Sequence, residues 1–269
     1  MELEWGYFRQ LYEGLLDHDD RRAYLSRHQS TAADHLAELE PLRKREPIPA
    51  GGDDEQSWRI MKLYGLSRVS DYLIERFCAQ GEPLAVYGEF FSGLGLAPFE
   101  HAEAFSPFHH EIFAVVQDPS ATTVTVEEVL WPGWWFGDLL FSRAGVRVRA
   151  PRQLVDAAVA TTSTLYFTFR RGPRRTADLS HGWGSNSQWR TSFSRFYSDE
   201  DGLHFNWDGE VDIGDDSPAP RAGWPEHEVE PLEQRRELLL HRCFVRGPLP
   251  ADESDRFPYG DRISLAAAE

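Results

Sequence analysis

The amino-acid sequence predicts an α+β protein, with an N-terminal helical region packed on a largely antiparallel β-sheet or partly closed barrel and a C-terminal helix. Up to about residue 82, apolar residues recur at the spacing of amphipathic helices. Short segments rich in β-branched and aromatic residues follow, separated by Gly, Pro and Asp, and the pattern returns to helical at Glu228 to Val245. Because helices and strands are segregated along the chain and do not alternate, an antiparallel sheet is favoured over a parallel one.

Several helical stretches are predicted within the first 80 residues. The first carries an apolar stripe at helical spacing, formed by Leu3, Tyr7, Leu11 and Leu15. Asp19 or Asp20 is expected to cap a short second helix, and Ser30 or Thr31 to cap a third. After a loop rich in Pro and Gly, a further helix is expected with an interruption near Gly65.

A block of strands is predicted next. Its segments are Leu84 to Phe91, Glu111 to Val116, Thr123 to Trp131, Leu139 to Arg149, Leu165 to Arg171, Gln188 to Tyr197 and Leu203 to Trp207. The turn residues 199–202 are expected to join two antiparallel strands as a hairpin, and the chain end is expected to be loose. The predicted organisation is a helical region at 1–82, an antiparallel β core with a pocket at 83–211, and a loop plus helix at 212–269, in one compact domain.

The charge balance restricts the classes of partner. The chain has 44 acidic and 28 basic residues and a formal net charge of −16 at pH 7. Recognition of nucleic acid needs clustered positive charge, so binding to nucleic acid or to an anionic membrane is not expected. The sequence has no apolar run of membrane-spanning length, and its first residues do not resemble a secretion signal. We therefore expect a soluble, cytoplasmic protein.

The segment from His181 to Arg190 has the most informative composition in the chain. Within ten positions it combines stacking, hydrogen-bonding and charged groups, namely His181, Trp183, Asn186, Gln188, Trp189 and Arg190. Indoles can stack on a planar ligand, amides can recognise its donors and acceptors, and a guanidinium can hold a carboxylate. The alternative is an ordered loop whose polar groups bond to one another and whose tryptophans fill the core.

A second candidate lies at the start of a predicted strand. Side chains alternate across a strand, so His109 and Glu111 are expected to share a face that His110 does not. The apolar residues expected on that shared face are Phe113 and Val115. An imidazole and a carboxyl group beside an apolar pocket form a workable acid–base pair. They could instead supply two metal ligands, with His181 or His101 as a third, or Glu111 could simply pair with an Arg.

Two further clusters have both a functional and a structural interpretation. Trp134 and Trp135 lie in an aromatic segment around Pro132-Gly133, which could wall a pocket for a planar ligand or plug one end of a sheet. Four Arg residues at 170–175 could steer an anionic substrate or form a solvated hairpin tip. For both clusters the structural interpretation is the simpler one.

The motifs of several common enzyme classes are absent from the sequence, including the GxxxxGK phosphate loop, the HExxH zinc helix, the GxSxG elbow and the GxGxxG turn. The leading hypothesis is therefore a small-molecule enzyme that uses general acid–base chemistry in a condensation, isomerisation or hydrolysis. Its substrate would bear a ring and a carboxylate or amide. The sequence favours no cofactor, although a single divalent metal ion would also fit. It is compatible with a homo-oligomer.

The proposed roles follow from the side-chain types. Glu111 would transfer protons, assisted by His109 or His181, while Arg190 and Asn186 would anchor polar groups of the substrate. The aromatic walls would be Trp134, Trp135, Trp183 and Trp189. This hypothesis requires the 181–190 segment and the strand that follows His109 to line one concavity.

Two hypotheses without catalysis stand beside the enzyme. A chain this acidic could be an immunity- or antitoxin-like partner of a basic protein, with the stretches Asp199–Asp201 and Asp212–Asp216 on its contact surface. Such a protein would present acids and aromatics on an open surface. A ligand-sensing domain would share the pocket of the enzyme but would tolerate loss of Glu111.

Overall fold

The computed structural model describes residues 6–45, 54–80, 84–162, 193–215, 231–241 and 260–267. The predicted fold class is confirmed, since helices and mostly antiparallel sheets form an α+β fold. The described strands make two sheets that do not close into a barrel. None of the described helices combines the length and the apolar composition that crossing a lipid bilayer requires.

Most of the described helices precede the strands, as the sequence predicts. They are α1 (Gly6–Asp17), α2 (Arg21–Ala37), a 3-10 helix (Glu40–Arg43), α3 (Asp54–Gln80), α4 (Ala85–Gly93), α5 (Ala157–Thr162) and α6 (Leu232–Leu240). The helix α1 packs on α2 and α3, and α2 packs on α4. Their apolar faces form the main core together with Trp131, Trp134 and Tyr197 from the strands. The helix α6 lies inside the predicted C-terminal helix.

The start of α2 follows the prediction. The carboxylate of Asp20 accepts a hydrogen bond from the N–H of Ala23 at 3.0 Å, so Asp20 is the capping residue and Asp19 precedes it. The apolar face of α1 is also buried, through Phe8, Leu11, Tyr12 and Leu15.

Two predicted interruptions of helices are wrong. The helix α2 continues through Ser30–Thr31, because these residues are exposed and the buried stripe goes on through Ala32 and Leu36. The helix α3 likewise continues through Gly65. At this glycine a Cβ atom would lie 3.2 Å from Cβ of Phe8, so Gly65 serves the close approach of α1 and α3 and does not end a helix.

The strand predicted at Leu84 to Phe91 is wrong, because Leu84 precedes α4 as its N-cap and the other residues belong to α4. The side chains of Tyr87, Phe90 and Phe91 recur at helical spacing and are buried in the main core. A short apolar run fits a buried strand and a buried helix equally well. In this protein, packing against α2 and α3 selects the helix.

The strands form two sheets. They are β1 (Ala97–Phe99), β2 (His110–Gln117), β3 (Thr125–Trp131), β4 (Gly133–Phe136), β5 (Leu139–Ser142), β6 (Ala144–Ala150), β7 (Tyr197–Asp199), β8 (Gly202–Phe205), β9 (Val211–Asp212) and β10 (Asp261–Ala266). The first sheet has the order β1-β4-β5-β7-β8-β10-β9 and the second the order β2-β6-β3. Only β2 with β6 and β9 with β10 pair in parallel among the described strands.

The single strand predicted at Leu139 to Arg149 is in fact two strands, β5 and β6, which belong to different sheets. The chain changes sheet at Arg143, whose buried guanidinium carbon lies 4.9 Å from the centre of the Phe196 ring. Bends of this kind allow a chain to pass from one sheet to another. The change places the start of β6 beside the start of β2.

The C-terminal strands show one success and one error of the sequence analysis. The predicted hairpin at 199–202 is confirmed, since β7 and β8 pair antiparallel around it. The chain end predicted to be loose instead forms β10 between β8 and β9, with Ile263 buried against Phe205. The predicted strand at Leu165 to Arg171, and positions 188–192 of the next one, lie outside the described residues.

Candidate functional site

The start of β2 is held by a turn at Ser106. The backbone N–H groups of His109 and His110 both donate to the carbonyl oxygen of Ser106, at 3.1 and 2.8 Å. The N–H of Ala144, at the start of β6, donates to the carbonyl oxygen of His109 at 3.0 Å. The backbone that carries the two histidines is therefore fixed from both sides.

The imidazole of His109 is half-buried, and four rings lie nearest to it. Their centres lie 4.3 Å away for His101, 5.0 Å for Phe108, 5.7 Å for Trp135 and 5.8 Å for Phe99. The three carbon-rich rings pack in or against one apolar cluster, whereas His101 is exposed. We call these five residues the imidazole–aromatic cluster. It has apolar walls and one polar side that reaches solvent.

The backbone of His101 is strained. Its φ is +47°, in the left-handed region that residues other than glycine seldom adopt. Its ring lies against His109 and, at 5.3 Å, against Phe99. Strained backbone persists only where the surroundings hold it, and such residues concentrate at functional sites. The ring contacts therefore hold His101 over the cluster.

The imidazole of His109 is neutral at physiological pH. Burial lowers its pKa from 6.5 to about 3, and nearby His101, His110 and Arg143 act in the same direction. Its Nδ1 atom is 2.9 Å from the hydroxyl oxygen of Ser106. Within the described part of the chain its Nε2 atom has no hydrogen-bond partner, so this atom can bond to a ligand.

His110 has a structural role. It is 2% exposed, and its Nδ1 atom accepts a hydrogen bond from the N–H of Ser106 at 3.0 Å. The Nε2 atom must then carry the proton, which it donates to the carbonyl oxygen of Glu100 at 3.1 Å. Burial lowers the pKa of His110, and the neutral ring stacks on Phe105.

Glu111 is 3% exposed and lies within the second sheet. It pairs with Gly145 of β6, which in turn pairs with Trp131 of β3. Directly paired residues project from the same face of a sheet, so the Glu111 side chain leaves the sheet on the face that Trp131 covers. A Cβ atom on Gly145 would overlap the Trp131 ring, so only glycine leaves room for the indole here.

The strict alternation predicted along β2 holds as far as Phe113 and is wrong beyond it. A register shift between Ile112 and Ala114 makes Phe113 an extra residue, as in a β-bulge. Phe113 therefore packs against the main core, while Val115 packs in the same cluster as Ile112 on the other face. Of the residues predicted to share the face of Glu111, Phe113 does so, with its ring centre 5.5 Å from that of Trp131, whereas Val115 lies on the opposite face.

The two consecutive tryptophans of β4 go to different environments. Trp134 is 1% exposed and packs in the main core, with its ring centre 5.8 Å from those of Tyr87 and Phe91. Trp135 is half-buried and lies 5.0 Å from Phe99, in the imidazole–aromatic cluster. Trp134 therefore fills the core, and Trp135 is the indole that reaches His109.

The remaining residues of the predicted site lie outside the described residues, so their placement around His109 stays a prediction. They are His181, Trp183, Asn186, Gln188, Trp189 and Arg190. The Arg tetrad at 170–175 also lies outside them. Among the described residues, no group of three His, Cys, Asp or Glu side chains is arranged to hold a metal ion.

A comparison with known protein families, with curated proteins and with solved structures gives no match for this chain. The fold and the site therefore define the protein only as an α+β protein with a neutral imidazole beside aromatic rings.

Proposed function

We propose that this protein is a small-molecule enzyme that applies general acid–base chemistry to a ring-bearing substrate with a carboxylate or amide group. The observation that carries the proposal is the imidazole–aromatic cluster at the start of β2. Glu111, two positions further along the chain, is 3% exposed and leaves the sheet on the face that Trp131 covers. Titratable groups removed from water beside aromatic walls are typical of catalytic sites. A condensation, an isomerisation or a hydrolysis fits this chemistry.

The two titratable residues take different roles. With a pKa of about 3, His109 is a weak base at neutral pH, so its imidazole serves as a neutral hydrogen-bonding group that orients a polar substrate atom. Glu111 supplies the carboxyl group that transfers the proton. This division amends the sequence-based hypothesis, in which His109 assists the proton transfer itself.

The substrate class follows from the walls of the cluster. Trp135 is half-buried, so its indole is the ring of the cluster proposed to contact a planar ligand, while Phe99 packs behind it. The polar handle of the substrate would be held by the 181–190 segment, through Arg190, Asn186 and Gln188, with His181 as an accessory proton carrier. Trp183 and Trp189 would complete the walls. A cytoplasmic location is part of the same proposal.

The proposal is tested with a library of ring-bearing carboxylic acids and amides. Saturation-transfer NMR identifies binders, and 1H NMR in D2O then follows exchange of substrate C–H protons and formation of product. We expect Trp135→Ala to weaken binding at least tenfold and Glu111→Gln to lower turnover at least a hundredfold with binding retained. Turnover at the wild-type rate in Glu111→Gln would overturn the catalytic role.

The matched control is Glu103→Gln, which removes an exposed carboxylate from the loop before β2. We expect this variant to bind and turn over substrate as the wild-type protein does. Binding without turnover in the wild-type protein would instead support the ligand-sensing hypothesis.

The hypothesis of an acidic partner for a basic protein receives less support from the described residues. Asp199 and Asp201 both bond to Arg45, the former at 2.8 Å, and Asp212 lies 3.6 Å from Arg262. These carboxylates are already paired within the fold. They offer less uncompensated charge to a basic partner than the sequence alone indicates.

A further inference from the structure

Three neighbouring strands bring a carboxylate, an imidazole and a hydroxyl group into one line. Asp199 ends β7, His204 lies in β8, and Ser264 of β10 is the direct cross-strand partner of His204. The Nε2 atom of His204 is 2.9 Å from Oδ1 of Asp199, and its Nδ1 atom is 2.8 Å from Oγ of Ser264. This order of groups is the one that activates a serine nucleophile.

The strand pairing explains the contact between His204 and Ser264. The N–H of Ala267 donates to the carbonyl oxygen of Asp201, so these opposite residues form a hydrogen-bonded pair. Hydrogen-bonded and non-hydrogen-bonded pairs alternate along an antiparallel ladder, and His204 with Ser264 is therefore a non-hydrogen-bonded pair. Side chains in such pairs are closest to each other, which favours the short contact.

The contacts also determine where the protons lie. The Nη1 atom of Arg45 is 3.3 Å from Nδ1 of His204, and a guanidinium can only donate, so Nδ1 accepts and carries no proton. In that tautomer the proton lies on Nε2 and is donated to Asp199. Nδ1 has a single lone pair, and at 2.8 Å the hydroxyl group of Ser264 is its nearer donor, which is the arrangement in which a base can remove the hydroxyl proton.

The proposed base and nucleophile differ in their exposure to solvent. His204 is 2% exposed, whereas Ser264 is exposed to solvent. The Nε atom of Arg45 donates to Asp199 at 2.8 Å, and its guanidinium carbon lies 5.0 Å from the centre of the Trp207 ring. The base and its carboxylate are thus held in place beneath a hydroxyl group that a substrate can reach.

We propose that Ser264 is a catalytic nucleophile toward small carboxylic esters, with His204 as its general base and Asp199 as a positioning residue. This site is separate from the imidazole–aromatic cluster and goes beyond the function proposed above. Nη1 of Arg45 has two N–H groups, and the one not directed at Nδ1 of His204 is the proposed donor to the carbonyl oxygen as negative charge develops on it.

The reaction has two steps. Oγ of Ser264 attacks the carbonyl carbon of the ester while its proton passes to Nδ1 of His204, and the bond to the alkoxy oxygen breaks as the alcohol leaves with that proton. Water then attacks the acyl group on Ser264 and gives its proton to His204. The bond to Oγ breaks, Oγ recovers the proton, and the carboxylic acid leaves.

The alternative is that Arg45, Asp199 and His204 only stabilise the fold. Arg45 ties the segment after the 3-10 helix to the β7–β8 hairpin through Asp199 and Asp201. That role needs the ion pairs but does not need a reactive hydroxyl group at Ser264. The two explanations therefore differ in the reactivity of this one oxygen atom.

The test uses a fluorophosphonate probe, which reacts with activated serines, on the full-length protein, with mass mapping of the labelled peptide. We expect Ser264 to be labelled at least a hundredfold faster than Ser92, an exposed serine near the end of α4. We expect Ser264→Ala to abolish hydrolysis of p-nitrophenyl acetate above the buffer rate and Ser92→Ala to retain it. Asp199→Asn should slow labelling of Ser264 at least tenfold.

Circular dichroism and thermal unfolding check that Ser264→Ala is folded, which we expect because the hydroxyl group lies on an exposed residue. The decisive comparison needs no variant. Labelling of Ser264 in the wild-type protein at no more than the rate of Ser92 would overturn the proposal, as would ester hydrolysis by Ser264→Ala at the wild-type rate.

Discussion

The indole of Trp131 fills the space that a Cβ atom on Gly145 would need, across the β3–β6 pair. Gly145 also pairs with Glu111 on β2. Glu111, the residue proposed to transfer protons, is therefore in cross-strand register with the buried indole of Trp131. Packing of this kind holds neighbouring side chains in single conformations. Glu111, Gly145 and Trp131 lie in register across the three strands of the second sheet.

We expect Gly145→Ala to lower the free energy of unfolding by about 2 kcal/mol, because the added methyl group must displace a buried ring. Urea unfolding followed by tryptophan fluorescence measures the change. The matched control is Gly88→Ala in α4, where an added Cβ atom meets nothing within 4 Å. That variant should be neutral or stabilising by up to about 1 kcal/mol, since alanine is the better helix former. Similar effects of both substitutions would contradict the packing argument.

A buried guanidinium gives the second prediction. Arg195 is 0% exposed, its Nε atom donates to Asp208 at 2.8 Å, and its Nη1 atom donates to the Tyr197 hydroxyl at 3.0 Å. Asp208→Asn leaves this cation without its counter-charge, which should lower the free energy of unfolding by about 3 kcal/mol. Chemical unfolding provides the measurement.

The control for that experiment is Glu13→Gln, which breaks the Arg9–Glu13 pair on the surface of α1, where both side chains are 49% exposed. Exposed pairs of this spacing contribute about 0.5 kcal/mol or less. A loss from Asp208→Asn as small as the loss from Glu13→Gln would show that the buried pair adds no more stability than an exposed one.

The pH dependence of stability follows from His109. Its pKa falls from 6.5 to about 3 on folding, so below pH 6.5 the unfolded chain binds a proton that the folded protein does not. This contribution to stability is complete above pH 6.5 and is lost as the pH falls toward 3, by at most about 1.4 kcal/mol per pH unit. We expect His109→Gln to reduce this loss in unfolding measurements between pH 7 and pH 4. Parallel pH profiles for the wild-type protein and the variant would contradict the assignment of a neutral buried imidazole.

The start of α2 gives a fourth prediction that separates two adjacent residues. Asp20→Ala removes the acceptor for the Ala23 N–H and should lower the free energy of unfolding by about 1 kcal/mol. Asp19→Ala should change it by less than about 0.5 kcal/mol, because Asp19 contributes its backbone carbonyl oxygen to the turn. Thermal unfolding of the two variants measures the difference, and the reverse order of effects would contradict the cap.

The predictions that succeed rest on local chemistry. Asp20 and the hairpin at 199–202 are confirmed because a capping carboxylate and a Gly-containing turn act within a few residues. The segregation of helices from strands is equally visible in the sequence, and it determines the fold class. Each of these features requires no knowledge of distant parts of the chain.

The predictions that fail depend on distant contacts. The helix α4 has an apolar run that would suit a strand, and its partners α2 and α3 decide its conformation. The bulge at Phe113 depends on the register with β6, and β10 depends on the gap between β8 and β9. The triad of Asp199, His204 and Ser264 joins positions up to 65 residues apart, and no local pattern marks it.

The central claim is that the imidazole of His109 lies in a ligand-binding site, and long-range 1H–15N correlation spectra of the histidine rings test it directly. Addition of a binder from the acid and amide library should shift the His109 ring resonances in a saturable way. The ring of His241, the residue that follows α6, is bonded to Glu237; its resonances should not move and serve as the internal reference. Saturable binding that leaves the His109 resonances unchanged would contradict the account.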